Sequence, residues 1–132
     1  MIGDAKNKLS NNQALAGTSV VQSTDVYNAG AALDLGAGGR PKAFTRIEDT
    51  PTGTSPTLQV EFCGYDDEAR TTGKVVFGHL PAAARAKDDF LEVPIASTGK
   101  KKRWYGFEYL QGGTTPVHNV TSGLALDLQQ ND

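Results

Sequence analysis

The chain has 132 residues, of which 38% are hydrophobic and 21% are charged, a composition that is ordinary for one globular domain. Its formal net charge of −2 does not favour a nucleic-acid partner, and no apolar run approaches the roughly 20 residues of a membrane span. The single cysteine, Cys63, excludes an intramolecular disulfide. The first residues contain no apolar segment of the secretory type, so we expect synthesis and assembly in a cytoplasm.

Residues 1–17 are polar and rich in asparagine, with Ile2, Leu9 and Leu15 among their few apolar side chains. A terminus of this kind becomes ordered only where another surface holds it. The sequence therefore predicts a polar N-terminal arm over residues 1–17, followed by one domain over residues 18–132. A simple unstructured terminus is the alternative.

Short strands separated by turns are predicted in the first half of the domain. Valine-rich residues 19–27 indicate a first strand, Leu33 and Leu35 a short second one, and the alternating residues 42–47 a third. Two prolines and a glycine predict a turn or loop over residues 49–56.

The clearest alternation lies in residues 57–65, where Leu58, Val60 and Phe62 face one way and mostly polar side chains face the other. This pattern is typical of a strand with one face in the core and one wetter face. A charged connection over residues 66–70 follows it.

Two more strands are predicted beyond this connection, at residues 74–80 and 90–95. Between them, the alanine-rich residues 81–89 favour one or two helical turns, with Pro81 as the first helical residue. Pro94 favours an edge position or a bulge for the second of these strands.

The aromatic residues of segment 102–110 predict the strand against which the rest of the domain packs. Tyr105, Phe107 and Tyr109 alternate along the chain, so they share one face, which we expect to be buried. Trp104 lies on the opposite face, where it could be a second core side chain, a subunit contact or a platform for a sugar ring.

Residues 111–116 predict a loop, and residues 120–128 predict a last strand with Leu124, Leu126 and Leu128 on one face. About seven or eight short strands with turn signals between them predict an all-β, single-domain antiparallel β-sandwich or jelly roll. At most a short helical turn is expected in it.

Residues that could carry chemistry do not form a recognisable site in the sequence. The glycine-rich residues 36–39 are followed by Arg-Pro, not by the Lys-Ser/Thr pair and helix of a phosphate loop. Residues 66–68 (Asp-Asp-Glu) could supply oxygen ligands to Ca²⁺, but they lack the spacing of a calcium loop, and a solvated turn is favoured. Cys63, His79 and His118 have neither metal-ligand spacing nor a nucleophile motif. The sequence predicts no enzymatic activity and no cofactor.

Residues 100–103 (Lys-Lys-Lys-Arg) concentrate positive charge at the start of the aromatic strand. Such a run is either a solvated turn or a patch that meets an acidic partner, where it would raise the association rate and set orientation more than affinity. One basic run without a surrounding basic face does not favour nucleic-acid binding.

Several segments resemble the small capsid cement (decoration) proteins of tailed bacteriophages. They match in order along the chain, most clearly at its two ends, and cover about half of it, whereas residues 50–102 depart from the family. The segments are Met1-Ile2-Gly3-Asp4 with Asn7-Lys8-Leu9-Ser10, Ser23-Thr24-Asp25-Val26-Tyr27 with Gly36-Ala37-Gly38, Arg103-Trp104-Tyr105-Gly106-Phe107-Glu108-Tyr109, and Thr121-Ser122-Gly123-Leu124-Ala125-Leu126-Asp127.

The resemblance implies a jelly-roll fold without catalysis, located on the outer surface of the virion capsid, where copies bridge neighbouring major capsid protein subunits. It also implies self-association, as a homodimer or homotrimer at symmetry sites of the shell. Together with the polar arm and the basic run, it predicts capsid or subunit contacts at Met1, Ile2, Gly3, Asp4, Lys6, Lys8, Leu9, Lys100, Lys101, Lys102, Arg103 and Trp104.

Two other functions are open at this point. A carbohydrate-binding β-sandwich module would stack a sugar on Trp104, although such modules usually accompany a catalytic domain or a signal peptide. A small phage tail or receptor-binding protein of similar fold is the other alternative.

Overall fold

The computed structural model describes residues 8–33, 42–96 and 98–125, and these residues contain no helix. They form eight strands: β1 Lys8–Ala16, β2 Val21–Gln22, β3 Tyr27–Leu33, β4 Lys42–Ile47, β5 Thr52–Tyr65, β6 Val75–Ala83, β7 Phe90–Val93 and β8 Lys102–Ala125. The predicted all-β, single-domain antiparallel fold is confirmed. None of the described residues belongs to a helix that could cross a membrane.

Strand β8 is the centre of the sheet, and both of its edges are paired. One edge takes β1, β2 and β3 in succession, and the other takes β4 and then β5. Tyr109, for example, lies between Val21 of β2 and Val60 of β5. Strands β6 and β7 extend the sheet beyond β5 and β4, and a bridge between Ile95 and Gly78 brings its ends together into a nearly closed, barrel-like shape.

The length of β8 requires it to bend. Its 24 residues would span about 80 Å if straight, whereas a domain of this length has a radius of gyration of about 14 Å. The backbone bends around Gly113 (φ 102°) and Thr115 (φ 46°), and the pairing with β5 shifts register on both sides of Thr54. Odd-numbered residues such as Tyr109 are buried in the core before the bend and even-numbered ones such as Val120 after it. Bulges permit this change, because one extra residue reverses which side chains face each side.

The core lies where the sequence predicts it. The predicted core residues that are fully buried are Leu58, Val60, Phe62, Tyr105, Phe107, Tyr109 and Leu124. Leu126 and Leu128, predicted with them, lie outside the described residues. The Phe62 ring of β5 contacts two rings of β8. Its centroid lies 5.2 Å from that of Phe107 and 5.6 Å from that of Tyr105. Aromatic pairs at these distances add to the stabilisation from buried area.

Two segments predicted as loops are strands instead. Residues 49–56 contain the start of β5, residues 111–116 lie within β8, and the two segments pair with each other. Gly53 and Gly113 both have positive φ, and a Cβ on either would lie 2.6 Å from a carbonyl oxygen of the opposite strand. The prediction is wrong because two glycine-containing segments form bulged strands together, which neither segment indicates alone.

Residues 81–89 form no helical turn, contrary to the sequence prediction. Strand β6 continues through Pro81 to Ala83, which pairs with Leu58 across a register shift. Proline is tolerated at such a bulge in an outer strand. The side chain of Arg85 then donates hydrogen bonds to the carbonyl oxygens of Leu58 (3.2 Å) and Pro81 (2.7 Å). Pairing with β5 thus outweighs the weak helical preference of a short alanine-rich segment.

The predicted strand over residues 19–27 is divided into β2 and the start of β3. Between these strands, the Ser23 hydroxyl accepts the backbone N–H of Phe107 at 3.1 Å, where a neighbouring strand would offer a carbonyl oxygen. A side chain that replaces the backbone acceptor lets the chain leave the ladder. The second predicted strand is the end of β3 at Leu33, and Leu35 lies outside the described residues.

The described part of the predicted N-terminal arm belongs to the sheet. Residues 8–16 form β1, which pairs with the last part of β8, and Leu9 and Leu15 are buried in the core. Backbone hydrogen bonds and two buried leucines hold this segment in the sheet. Its polar composition does not indicate a strand, because only these two of its apolar side chains are buried in the core. Residues 1–7 of the predicted arm lie outside the described residues.

Candidate functional site

The predicted contact residues that the structure describes lie at opposite ends of β8. Met1, Ile2, Gly3, Asp4 and Lys6 lie outside the described residues. Lys8 begins β1 opposite Gly123, near the C-terminal end of β8, whereas residues 100–104 lie at the N-terminal end of that strand. Leu9 is only 2% exposed and packs in the core, so in this conformation it cannot contact a partner. Within the described residues, Lys8 and Leu9 are therefore not brought together with residues 100–104.

Part of the basic run is used within the fold. Lys102 Nζ lies 2.8 Å from Asp66 Oδ1, and only 13% of the Lys102 side chain is exposed. Lys100 and Lys101 are exposed. Lys100, Lys101 and Arg103 are therefore the exposed cations of the basic run.

Arg103 covers one face of Trp104. The guanidinium carbon lies 4.8 Å from the centroid of the indole ring, and Arg103 Nε donates to Asn28 Oδ1 at 2.9 Å. A cation over an indole face is attracted by the ring quadrupole. Trp104 is also half-buried, and these contacts do not favour it as a stacking platform for a sugar.

A cluster of potential metal ligands, which the sequence does not predict, lies on the outer face of β5 and β8. Carboxylate oxygens of Glu61 and Glu108 and the Cys63 sulfur lie within 4.8 Å of one another, and His79 Nδ1 lies 3.1 Å from Glu61 Oε2. Alternation along residues 57–65 is the signal that places Glu61 and Cys63 on one face. Glu108 joins them because of the register in which β8 pairs with β5.

Lys74 holds the place that a bound cation would take in this cluster. Its Nζ lies 2.6 Å from Glu108 Oε1 and 3.5 Å from Glu61 Oε1, and the Tyr65 hydroxyl donates to Glu108 Oε2 at 2.7 Å. Burial raises the pKa of the Glu108 carboxyl, but the hydrogen bonds from Lys74 and Tyr65 outweigh it and the pKa is lowered. For Lys74, burial acts in the opposite direction and lowers the pKa, but the hydrogen bond with Glu108 outweighs burial and the pKa is raised. The contacts of Lys74 with both carboxylates therefore fit a network of ion pairs better than a metal centre.

Cys63 is not poised as a nucleophile. The residue is fully buried, and burial, reinforced by the negative charge of Glu108, raises the pKa of its thiol to about 12. Reactive and metal-binding cysteines need a lowered thiol pKa, because the thiolate is the active form. Cys63 is therefore a small buried side chain of the fold.

The charged turn after β5 is held together by its own carboxylates. Asp67 accepts the backbone N–H groups of Thr71 (2.9 Å) and Thr72 (3.0 Å). Hydrogen bonds from the Thr71 hydroxyl and from the Thr72 backbone hold the pKa of the Asp67 carboxyl at about 2. Asp66 is paired with Lys102. These contacts favour a structural turn over a calcium-binding loop.

An aromatic pair lies on the outer face of β4 and β7. We call it, with the charged side chains beside it, the Phe44–Phe90 surface. It consists of Lys42, Phe44, Arg46, Asp88, Phe90 and Glu92. The two rings are stacked, with centroids 5.4 Å apart and planes inclined by 19°, and Phe90 is 51% exposed. Alternation in residues 42–47 places Phe44 on the face of β4 opposite to Ala43, Thr45 and Ile47. Only pairing with β7 places Phe90 beside Phe44.

No protein-family model matches the chain, and no curated protein matches it. Any functional role of the described residues therefore has to be argued from their geometry, and three features are candidates. These are the cluster of Glu61, Glu108 and Lys74, the exposed lysines just before β8, and the Phe44–Phe90 surface.

Proposed function

We propose that this chain is a capsid cement (decoration) protein of a tailed bacteriophage, which binds the outside of the head and bridges neighbouring major capsid protein subunits. The observation that carries the proposal is the ordered resemblance of segments at both ends of the chain to that family. Residues 103–109 and 121–127, two of these segments, lie largely in the central strand β8. The resemblance implies a jelly roll, and the antiparallel all-β domain is compatible with that fold and supports the proposal to this extent.

The polar side chains buried or half-buried near β8 serve the fold itself, which suits an adhesive scaffold. Glu108 is bound by Lys74 and Tyr65, and the Cys63 thiol is buried and protonated. A cement protein acts through its surface: because it binds adjoining subunits, it shifts the equilibrium toward the assembled shell by mass action. Several weak contacts made at once by an oligomer strengthen one another through effective concentration.

The proposal is tested by adding the purified protein to expanded empty phage heads that lack it. We expect the protein to sediment with the heads at micromolar concentration and to raise the temperature at which they disrupt. If micromolar protein neither sediments with the heads nor changes their disruption temperature, the proposal is wrong.

The N-terminal residues are the first proposed contact. Residues 1–10 are predicted to dock on the shell or on a neighbouring subunit, and because residues 8–10 belong to β1, we assign docking to residues 1–7. Deleting them should weaken binding to heads and leave the β-rich circular dichroism spectrum intact. Unchanged binding by the deletion variant would exclude this segment as a contact.

The exposed lysines at the start of β8 are the second proposed contact. Reversal of both charges, Lys100→Glu with Lys101→Glu, should slow association with heads, and the effect should shrink as salt screens the charges. Lys87→Glu is the matched control, because Lys87 is also exposed but lies outside both predicted regions. Equal association rates for the two variants would show that the basic run does not contact the heads.

A further inference from the structure

The Phe44–Phe90 surface leaves one large aromatic ring in contact with solvent. Phe90 is 51% exposed although it stacks on Phe44. On one side of the rings a groove of about 530 Å³ opens, lined by Lys8, Phe44, Arg46, Glu48, Phe90 and Thr121. Gly123 pairs with Phe44 in the next strand and has no side chain to fill the space beside the ring. Phe44 is only 6% exposed, so Phe90 is the exposed ring of the pair. An exposed aromatic ring beside a groove is typical of the centre of a protein–protein contact.

The charges around the rings are arranged in two rows of opposite sign. On β4, Lys42 and Arg46 stand on either side of Phe44, and beside β7, Asp88 and Glu92 stand on either side of Phe90. Within one copy the rows are joined by ion pairs, Lys42 to Glu92 at 3.6 Å and Arg46 to Asp88 at 3.0 Å. All four side chains are about half exposed or more. A cation–ring–cation row thus lies next to an anion–ring–anion row.

We propose that the Phe44–Phe90 surface is a two-fold contact between two copies of this chain. A two-fold interface places the same patch against itself, so the cationic row of one copy can face the anionic row of the other while the rings pack at the centre. A strongly acidic or basic partner would match only one row, whereas a second copy matches both. The proposal specifies the self-association part of the proposed function, and it can be tested without phage heads.

The first test measures the sedimentation coefficient of the purified full chain from about 1 µM to about 1 mM, a range that covers weak and moderate dissociation constants. We expect a concentration-dependent change from monomer to dimer. Phe90→Ser should raise the dissociation constant at least about tenfold. Val20→Ser is the control, because Val20 is a similarly exposed apolar residue (55%) outside the surface, and it should leave the dissociation constant unchanged.

The second test uses charge-reversal variants that repel themselves and attract each other. Lys42→Glu makes both rows acidic at one end, and Glu92→Lys makes both rows basic at that end. Each variant alone should associate more weakly than the wild type, and an equimolar mixture should recover association. Circular dichroism spectra that match the wild type show that each variant is folded.

The outcomes separate this proposal from the proposed function. A wild-type protein that stays monomeric throughout, a trimer, or a mixture no stronger than its components overturns the two-fold contact. If the wild-type protein dimerises but does not bind phage heads, the cement proposal is wrong and the two-fold contact is still supported.

Discussion

Gln111 and His118 hold each other in one orientation inside β8, on either side of its bend. Gln111 Nε2 donates to the carbonyl oxygens of Gly17 (3.0 Å) and Pro116 (3.2 Å), so its Oε1 is the acceptor for His118 Nδ1 at 2.7 Å. The His118 proton is therefore assigned to Nδ1. His118 Nε2 is buried without a hydrogen-bond partner among the described residues. A second proton would place a charge in a site that offers it no acceptor.

This pair predicts a loss of stability in mild acid. Burial lowers the pKa of His118 below its ordinary 6.5, and the charge of Arg85 acts in the same direction. Because the unfolded chain binds the proton more readily, the contribution of His118 to the free energy of unfolding should be complete above about pH 7 and should fall as the pH drops below 6.5. Urea unfolding between pH 7.5 and pH 5 measures this. His118→Gln should flatten the dependence in that window, and an equally steep decline in the variant would contradict the assignment.

Replacement of Glu108 by glutamine should destabilise the fold by about 1–3 kcal/mol, because the contact with Lys74 loses its charge. The lowered pKa of Glu108 also implies that the wild type loses this contribution as the pH falls below the ordinary value of 4.5. Chemical denaturation at pH 7 and at pH 3.5 measures both effects. Glu92→Gln is the control, since its ion pair with Lys42 is exposed and should be worth less than about 1 kcal/mol. Equal effects of the two substitutions would show that the cluster around Glu108 does not stabilise the fold.

The bend in β8 predicts different costs for alanine at two glycines. Gly113 and Gly30 both have positive φ, but a Cβ on Gly113 would lie 2.6 Å from the Ser55 carbonyl oxygen, whereas one on Gly30 meets nothing within 4 Å. Gly30→Ala should cost about 1 kcal/mol from backbone conformation alone. Gly113→Ala should cost more, because the strands must also separate. Thermal unfolding compares the two, and similar melting temperatures would mean that the strands adjust freely at the bend.

Phe107→Ala should lower the free energy of unfolding by about 3–5 kcal/mol, since the ring is fully buried and its removal leaves a cavity. Phe90→Ala removes the same side chain from the surface and should cost less than about 1 kcal/mol in dilute protein, where copies are separate. Denaturant titration of both variants provides the comparison. An unaltered curve for Phe107→Ala would show that the ring is not part of the core.

Much of the core could be predicted from the sequence, because alternation is a local property. Leu58, Val60 and Phe62 share one face of β5 because successive side chains of a strand point to opposite sides, and the same holds for Tyr105 and Phe107 of β8. Apolar side chains repeated at this spacing can be buried on one face of a sheet, whichever segments of the chain supply the neighbouring strands. The sequence by itself determined that the chain is all-β and which faces of its two longest strands are buried.

The tertiary structure decided which segments pair and what meets on the outer face. Residues 49–56 and 111–116 carry turn signals, and they are strands only because each supplies the backbone partners of the other. Glu61 and Glu108 are far apart in sequence, and they share Lys74 only in the observed register of β5 and β8. Phe44 and Phe90 likewise meet through the pairing of β4 with β7. Register is set by long-range hydrogen bonding and packing together, and a local pattern contains neither.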